Sequence, residues 1–375
     1  MAEENTRSER KKKIMTKPVL DLYGDPIDRG RAHGEKMTAQ IGQNIETYMK
    51  RFELLGFGRD AVLSESAKWS EALRPKDTVF WEEIDGVVQG SSRSLDEITL
   101  LNVRYELLVN MMKNNAQQQA VAMDACTSFA VLPERSKTGE TMIGQNWDWV
   151  KDIHTMVSRV TREDGPNFIH IGETGTIGGL QGVNEYGIGT VINALLTPDD
   201  GKYPYEKPYR MRVRDIMNAR NMQDAILAVC GTNRSVSMNF LLAHEDGIAI
   251  NIETSPDREA FIHPEDGLLT HSNHFCELDI ESEVVKLWPN TMYRNIRLER
   301  LLRQSQELDS TMIKSAMADH FSHPHSICAH YDDNEEETLR LQSNHSIMIS
   351  LNQRSLYITD SSPCKSDYEV YPLAA

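Results

Sequence analysis

The 375-residue chain lacks long apolar runs, and its cysteines form no CxxC pair. No stretch approaches the roughly 18 consecutive apolar residues of a membrane-spanning helix. The first residues also lack the apolar core of a secretory signal. The five cysteines are odd in number and sparse, which is typical of reduced thiols. We therefore expect a cytoplasmic protein with no membrane partner.

Basic residues are also in short supply. The chain has 40 Lys and Arg against 56 Asp and Glu, which gives a formal net charge of −16. A nucleic-acid surface needs clustered Lys and Arg, and the one basic cluster, residues 7–13, lies in what we interpret as a polar tail over residues 1–17. We therefore expect no nucleic acid as a partner. The balance of 39% hydrophobic and 26% charged residues is that of a globular protein.

Residues 18–125 are predicted to be mainly helical. Apolar residues recur at steps of three and four from Met37 to Leu55, and again from Phe80 to Val88. Ser94 and Glu97 have the spacing of a capping box and start a third helical pattern. Residues 113–125 have no such periodicity and are predicted to be a linker.

From Cys126 onward the pattern changes to short strands. Strands are predicted at 127–132, 141–146, 156–162, 167–172, 188–194, 238–243, 247–253, 346–351 and 355–359. Helices are predicted at 208–230 and 291–319. Pairs of strands alternating with helices indicate an α+β fold in which helices cover sheets in layers.

Cys126 is the first candidate for chemistry. It opens a strand, and the next strand ends in Asn146-Trp147-Asp148-Trp149, with Asn146 and Asp148 on one face. This pattern fits a cysteine that becomes a new N-terminus, with the thiol as nucleophile and the freed α-amine as base. An unperturbed α-amine titrates near ~8, so it can act near neutral pH. The alternatives are a buried structural cysteine and, for Asp148, a turn residue.

Asn273 is the second candidate. It lies in Thr270-His271-Ser272-Asn273-His274-Phe275, a polar segment that follows a short strand. Its side-chain amide could donate to an oxyanion that develops in the reaction. The alternative is that Asn and Ser form a turn there.

Two groups of His and Cys residues raise the question of zinc. They are His271-x2-His274-x-Cys276 and a denser run from His320 to His330 that includes Cys328. Neither has a CxxC half or an HExxH helix, and Pro324 interrupts the second. We therefore expect no metal and no other cofactor, and keep a zinc hydrolase as an alternative.

Four short motifs carry a resemblance to a known family. They are Asp124-Ala125-Cys126-Thr127-Ser128, Gly144-Gln145-Asn146-Trp147-Asp148, Gly178-Gly179-x2-Gly182-x-Asn184-x2-Gly187 and Thr270-His271-Ser272-Asn273-His274-Phe275. In their order and spacing the chain resembles the acyl-coenzyme A:6-aminopenicillanic acid acyltransferase family, the C45 group of self-processing N-terminal-nucleophile (Ntn) hydrolases. The similarity extends over most of the chain.

The resemblance implies a four-layer αββα fold and a precursor that cleaves itself between Ala125 and Cys126. Residues 18–125 would form the small chain and residues 126–375 the catalytic chain. By the same match Cys126 is nucleophile and N-terminal base, Asp148 the assisting carboxylate and Asn273 an oxyanion donor. Arg294 is a candidate for binding substrate, as is Asn146 beside Asp148.

The implied function is an amidohydrolase or acyltransferase that forms an acyl-enzyme on Cys126. Its partners would be a small acyl donor, either an amide or an acyl-coenzyme A thioester, an amine acceptor where transfer occurs, and its own cleaved N-terminal chain. The family usually has Gly where this chain has Ala125, and Gly tolerates the strained backbone that self-cleavage needs. A scaffold that never cleaves and only binds an acyl ligand is therefore a further alternative.

Overall fold

A computed structural model of the protein describes residues 17–114, 125–163 and 165–374. The predicted tail, apart from Lys17, and most of the predicted linker lie outside these residues. Within them the strands are β1 (Val19–Leu22), β2 (Ala125–Val131), β3 (Met142–Trp149), β4 (Thr155–Val160), β5 (Phe168–Glu173), β6 (Gln181–Asn184), β7 (Ile188–Ala194), β8 (Met238–His244), β9 (Ile248–Thr254), β10 (Glu259–Ile262), β11 (Leu268–His271), β12 (Gln342–Ser350), β13 (Ser355–Thr359) and β14 (Tyr368–Pro372). The helices are α1 (Pro26–Leu54), α2 (Arg59–Leu73), α3 (Thr78–Ser91), α4 (Leu95–Asn114), α5 (Tyr209–Asn218), α6 (Met222–Cys230), α7 (Val284–Leu287), α8 (Thr291–Leu302) and α9 (Ser310–Met317).

The described strands form two sheets. The eight-stranded sheet has the order β1-β4-β5-β6-β7-β8-β9-β10, and the six-stranded sheet has the order β11-β2-β3-β12-β13-β14. Strand β1 pairs parallel with β4, whereas β2 pairs antiparallel with both β3 and β11. Strands β2 and β3 therefore lie side by side, and the start of β2 lies opposite the end of β3.

Three apolar clusters show that the fold has four layers. Ile143 and Ile347 of the six-stranded sheet pack against Val191 and Leu241 of the eight-stranded sheet, so the two sheets lie face to face. The outer face of the eight-stranded sheet packs on α1–α6, and that of the six-stranded sheet packs on α8 and α9. This order confirms the expected α+β fold with four layers in the order αββα.

Helices α1 and α3 cross closely because both contribute glycine at the contact. A Cβ at Gly30 would lie 1.9 Å from the Glu83 carbonyl oxygen, and one at Gly86 would lie 2.2 Å from the Ile27 carbonyl oxygen. Side chains at these positions would push the helices apart. Beside this contact, Glu83 pairs with Arg29 of α1 and Arg214 of α5.

The two longest predicted helices are each split. The predicted 208–230 helix ends at Asn218, and a new helix starts after Asn221, whose side chain accepts from the Asp224 N–H. The predicted 291–319 helix ends at Leu302 and restarts after the capping residue Asp309. Asp and Asn side chains can accept a hydrogen bond from a backbone N–H in the first turn of a helix. The spacing of apolar residues does not reveal where such a cap starts a new helix.

Other local predictions agree with the structure. The capping box at the start of α4 is confirmed, since the backbone N–H of Ser94 donates to Glu97 and that of Glu97 donates to the Ser94 hydroxyl. Strands β1, β6, β10 and β14 were not predicted, because each has only four or five residues and too short a pattern. No described helix is long and apolar enough to cross a bilayer.

Candidate active site

Cys126 is the second residue of β2 and is almost completely buried. In the β2–β3 register Cys126 lies opposite Trp147, while Ala125 lies opposite Asp148. Side chains alternate along a strand, so the thiol lies on the sheet face of Trp147 and Trp149, and Asp148 lies on the other face. The carboxylate is thus beside the backbone that precedes the thiol, rather than beside the sulfur.

Two side chains hold the backbone of Cys126. Its N–H donates to Asn273 Oδ1 at 2.8 Å, and its carbonyl accepts from Arg294 Nη1 at 2.6 Å. The same Nη1 donates to Thr127 Oγ1 at 2.8 Å, and Arg294 Nη2 donates to Asn273 Oδ1 at 2.7 Å. Arg294 therefore links both sides of the Cys126 backbone to Asn273.

Asn273 is fixed from two directions. Its Nδ2 donates to the Ala194 carbonyl at 3.0 Å, and its backbone N–H donates to Thr291 Oγ1 at 2.8 Å. In this state the oxygen of the side-chain amide is on the Cys126 nitrogen, while the nitrogen is directed to β7. The Asn273 nitrogen that is expected to donate to an oxyanion therefore donates to the Ala194 carbonyl in this state.

The segment that carries Asn273 is anchored by Glu253 of β9. His271 Nε2 contacts Glu253 Oε1 at 2.8 Å, and the backbone N–H groups of Cys276, Glu277 and Leu278 donate to the same carboxylate. Burial lowers the pKa of His271, but Cys276 and Glu253 outweigh it and raise the pKa to about 10. A protonated His271 donates from both ring nitrogens, the second to the Ser272 carbonyl at 2.9 Å.

Asp148 is buried, and few of the described groups stabilise its negative charge. Ser343 Oγ donates to its Oδ1 at 2.6 Å. Burial raises the pKa of Asp148 to about 7, against the opposing effects of the Arg294 charge and the Ser343 hydrogen bond. Burial also lowers the pKa of Arg294, while Asp148 and Cys126 oppose that shift. Asp148 is therefore poised to change charge near neutral pH.

Asn146 is on the Asp148 face, as expected, but its side-chain nitrogen points away from Cys126. It donates to the Met317 and Ile327 carbonyls, both at 2.8 Å. These bonds fix the end of α9 and the segment after it. The role of Asn146 in binding substrate stays a prediction, and the same holds for Arg294, which bonds Cys126, Thr127 and Asn273.

Three groups at the site were not found from the sequence: Ser343, Thr291 and Glu253. Each acts through another residue: Thr291 and Glu253 are 18 positions from Asn273 and His271, and Ser343 is 195 positions from Asp148. A single Ser, Thr or Glu in a strand or at the start of a helix forms no pattern with its sequence neighbours, so its role cannot be predicted from spacing. Only the pairing of β3 with β12 brings Ser343 opposite Asp148.

More than half of the chain matches a known protein family. A profile of the acyl-coenzyme A:6-aminopenicillanic acid acyl-transferase family matches residues 135–364. That range includes Asp148, Asn273 and Arg294, and it begins after Cys126. A curated relative, the 40 kDa form of acyl-coenzyme A:6-aminopenicillanic-acid-acyltransferase from Emericella nidulans, is 25% identical over 331 residues, which cover 84% of this chain and 85% of that protein.

Among solved structures, an N-acylethanolamine-hydrolyzing acid amidase ortholog from Caenorhabditis elegans has a TM-score of 0.47 at 14% identity, covering 66% of this chain and 99% of that one. Penicillin V acylase from Agrobacterium tumefaciens has a TM-score of 0.44 at 11% identity, covering 66% of this chain and 86% of that one. The four layers were established above from the packing of this chain itself.

The family match covers well over half of the chain and defines an enzyme of the acyltransferase class. The chain belongs to the acyl-coenzyme A:6-aminopenicillanic acid acyl-transferase family. These comparisons give no support to the zinc hydrolase alternative.

Proposed function

We propose that this chain is a self-processing N-terminal-nucleophile cysteine amidohydrolase or acyltransferase that forms an acyl-enzyme on Cys126. The observation that carries the proposal is the arrangement around the Cys126 backbone. Asn273 and Arg294 come from two distant segments, yet both bind the atoms of residue 126. A structural cysteine in an ordinary strand would need no buried arginine and amide at its own peptide group.

The processing step uses atoms already close to one another. The Cys126 thiol attacks the Ala125 carbonyl carbon, the peptide C–N bond breaks, and the departing nitrogen takes the thiol proton. Water then hydrolyses the thioester, which frees the Ala125 carboxylate and leaves Cys126 with a thiol and an α-amine. Asn273 Oδ1, which accepts the Cys126 N–H, would hold the departing nitrogen throughout.

The freed α-amine is the general base of the mature enzyme. It takes the thiol proton as the sulfur attacks the substrate carbonyl, and it returns the proton to the leaving group. The Asn273 oxygen keeps the amine in place. Arg294 lowers the amine pKa and Asp148 raises it, since a nearby cation disfavours and a nearby anion favours the ammonium. Water completes hydrolysis, and an amine acceptor completes transfer.

The cleaved N-terminal chain would remain part of the enzyme. Arg104 of α4 pairs with buried Glu173 of β5 at 2.8 Å, and Tyr105 donates to the Leu195 carbonyl at 2.8 Å. The side chain of Asn102 bonds the backbone of Gly175 and Ile177. Strand β1, also N-terminal to the cut, pairs with β4. The partner of the catalytic chain is thus its own small chain, which supports the division at residues 18–125 and 126–375.

The substrate would be a small molecule that presents its acyl group as an amide or as an acyl-coenzyme A thioester, and acyl-coenzyme A is the donor in the name of the Emericella relative. An apolar pocket lies on the Trp149 side of β3, the face that also carries Cys126. It is lined by Tyr48, Arg51, Phe52, Leu55, Arg104, Tyr105, Leu108 and Trp149. This cavity holds only about 10 Å³ and two arginines line it, so an acyl group could enter only after these side chains move.

Intact-mass spectrometry of purified protein tests the proposal. We expect wild type to yield two chains, of residues 1–125 and 126–375, and the second should begin with Cys126 on N-terminal sequencing. Cys126→Ala should remain one chain, while the matched control Cys230→Ala, whose cysteine lies at the end of α6, should be cleaved. A wild-type chain that stays whole after prolonged incubation at neutral pH would favour the non-cleaving scaffold instead.

A further inference from the structure

We propose that His320, Cys328, His330 and Cys364 form a zinc site with a structural role, separate from the proposed acyl-transfer chemistry. One nitrogen or sulfur atom from each of the four side chains lies within 4.8 Å of the other three. Two thiolates and two imidazoles are a ligand set that Zn²⁺ favours in structural sites. The sequence pattern did not reveal it because Cys364 is 34 residues beyond His330.

The distances fit one metal ion among the four atoms. His330 Nε2 is 3.6 Å from Cys328 Sγ, 3.5 Å from Cys364 Sγ and 3.0 Å from His320 Nε2. In a tetrahedral site with Zn–S near 2.3 Å and Zn–N near 2.05 Å, sulfur and nitrogen ligands are about 3.6 Å apart and two nitrogens about 3.3 Å. Both sulfur–nitrogen distances match that geometry, and the nitrogen–nitrogen distance is slightly shorter.

Hydrogen bonds alone do not account for this arrangement. Three ligand atoms converge on His330 Nε2, which has either one hydrogen or one lone pair to offer. It can therefore satisfy one of the three neighbours. A cation between the four atoms satisfies all of them at once.

The position of the cluster in the fold indicates what the metal would do. Residues 318–341 form a long connection between α9 and β12 in which the only regular element is a short 3₁₀ turn at Glu337–Leu339. Connections of this length inside a compact fold need a further constraint. His320, Cys328 and His330 belong to this connection, and Cys364 lies between β13 and β14, so one ion would join the connection to the edge of the six-stranded sheet.

The connection also supports the candidate active site. Ala329, between two of the ligands, donates its N–H to Ser343 Oγ at 2.9 Å, and Ser343 donates to Asp148. Ile327, adjacent to Cys328, accepts from Asn146. With four protein ligands the ion has no open position for water, so it would hold this support in place and take no part in the reaction.

Metal analysis of the purified full chain tests the site. We expect about one zinc per chain in wild type. Cys364→Ser should lose most of the zinc and still fold, because Cys364 is exposed on a surface connection. The matched control is Cys276→Ser, which removes the exposed cysteine of the other His and Cys group and should keep the zinc.

Two further readouts do not depend on activity. A chelator should lower the Tm of wild type to that of Cys364→Ser and leave the Tm of the variant unchanged. Chelated wild type should take up Co²⁺ with the thiolate charge-transfer absorption that the variant lacks. The proposal is overturned by wild type that contains no zinc and binds neither Zn²⁺ nor Co²⁺, by a disulfide between Cys328 and Cys364, or by zinc that is lost in Cys276→Ser and kept in Cys364→Ser.

Discussion

The backbone N–H of Cys126 donates a hydrogen bond of 2.8 Å to the side-chain oxygen of Asn273, 147 positions further along the chain. The same oxygen accepts from Arg294 at 2.7 Å. The nitrogen of Cys126 therefore lies at a buried polar junction while the chain is intact. Cleavage would convert that nitrogen from an amide into an amine without moving its acceptor.

Replacing Asn273 with Ala should slow both self-cleavage and turnover. The change removes the acceptor of the Cys126 nitrogen and a partner of Arg294, and it also removes the side-chain amide that is expected to donate to an oxyanion. Loss of one such donor typically lowers turnover by roughly 10²–10³-fold. The rate of appearance of the residue 126–375 chain by mass spectrometry measures the first effect and needs no substrate.

The control for this change is Asn334→Ala, which removes an exposed amide from the 318–341 connection. It should cleave at the wild-type rate. Asn273→Ala with wild-type cleavage and turnover would remove Asn273 from the mechanism, and circular dichroism should show that both variants are folded.

The buried ion pair between Arg104 and Glu173 should hold the two cleaved chains together more strongly than a surface pair does. Both side chains are at most 3% exposed, and their nitrogen and oxygen are 2.8 Å apart. Removing one partner of a buried pair typically costs about 3–5 kcal/mol, and the cost here should be smaller because Glu173 keeps Arg210 as a second partner. We expect Arg104→Ala to separate the chains at a clearly lower urea concentration, measured by size-exclusion chromatography of cleaved protein.

The matched control is a second ion pair that also joins the N-terminal chain to the catalytic chain. Lys50 and Glu337 also pair at 2.8 Å, but their side chains are 67% and 50% exposed. Exposed pairs contribute about 0–1 kcal/mol, so Lys50→Ala should separate close to the wild-type urea concentration. Equal effects of the two substitutions would mean that the buried pair is not what holds the chains.

Cys276 should be the most reactive thiol of the intact chain, although it is not the proposed nucleophile. Burial raises its pKa, but hydrogen bonds from His271 and His274 outweigh this and lower the pKa to about 6. A group with that pKa is mainly thiolate at pH 7, and Cys276 is exposed. In the slowly cleaved variant Asn273→Ala, treated while most of the chain is still intact, iodoacetamide at pH 7 should modify Cys276 before Cys126, as peptide mapping would show.

If Cys126 were modified first in that protein, the buried environment found for it would be wrong. The rate at Cys276 should also fall as the pH is lowered through 6, since the thiolate becomes protonated. His274→Ala should move that transition to higher pH because it removes one of the stabilising hydrogen bonds.

Local sequence patterns predict many of the helices and strands, but they do not predict the contacts of the candidate active site. Alternating residues predicted β3, and the face shared by Asn146 and Asp148 is found as expected. The capping box of α4 needed only Ser94 and Glu97, three positions apart. Such signals come from neighbours in the sequence, whose contacts are set by the period of the helix or strand.

The contacts that join distant segments have no such signal. The sequence predicts that the Asn273 side-chain amide donates to an oxyanion, but the orientation of that amide depends on Arg294 and on the Ala194 carbonyl, which belong to α8 and β7. Cys364 lies close to His330 because the connection between β13 and β14 is at the edge of the six-stranded sheet, next to the connection that carries His330. The position of β1 beside β4 likewise depends on the whole N-terminal part packing on the eight-stranded sheet.

The charge of Asp148 should make the intact chain less stable as the pH rises. Burial raises its folded-state pKa to about 7, above its ordinary value of 3.8. Between those values the folded chain binds more protons than the unfolded chain, so stability falls with rising pH and the loss is complete above about 7. In an uncleaved Cys126→Ala background, Asp148→Asn should reduce the loss of unfolding free energy between pH 5 and pH 8 by on the order of 2–3 kcal/mol, and the loss that remains includes that of Asp200, whose pKa burial also raises to about 7.

Asp333→Asn is the control for this effect, because the Asp333 side chain is 92% exposed. It should leave the decrease between pH 5 and pH 8 in place. If Asp148→Asn retains the full decrease, Asp148 is ionised in the folded chain and another group carries the pH dependence.

In the mature enzyme, Asp148→Asn should impair catalysis more than folding and move the pH–rate profile to lower pH. The α-amine must be neutral to accept the thiol proton, so its pKa sets the rising limb of the profile. An anion nearby favours the ammonium and raises that pKa, whereas neutral Asn keeps the shape and loses the charge. Each unit of pKa corresponds to about 1.4 kcal/mol of interaction, so loss of the carboxylate should move the limb clearly. Hydrolysis of a p-nitrophenyl ester between pH 5 and pH 9 measures it, and an unmoved profile with wild-type turnover would leave Asp148 with a structural role only.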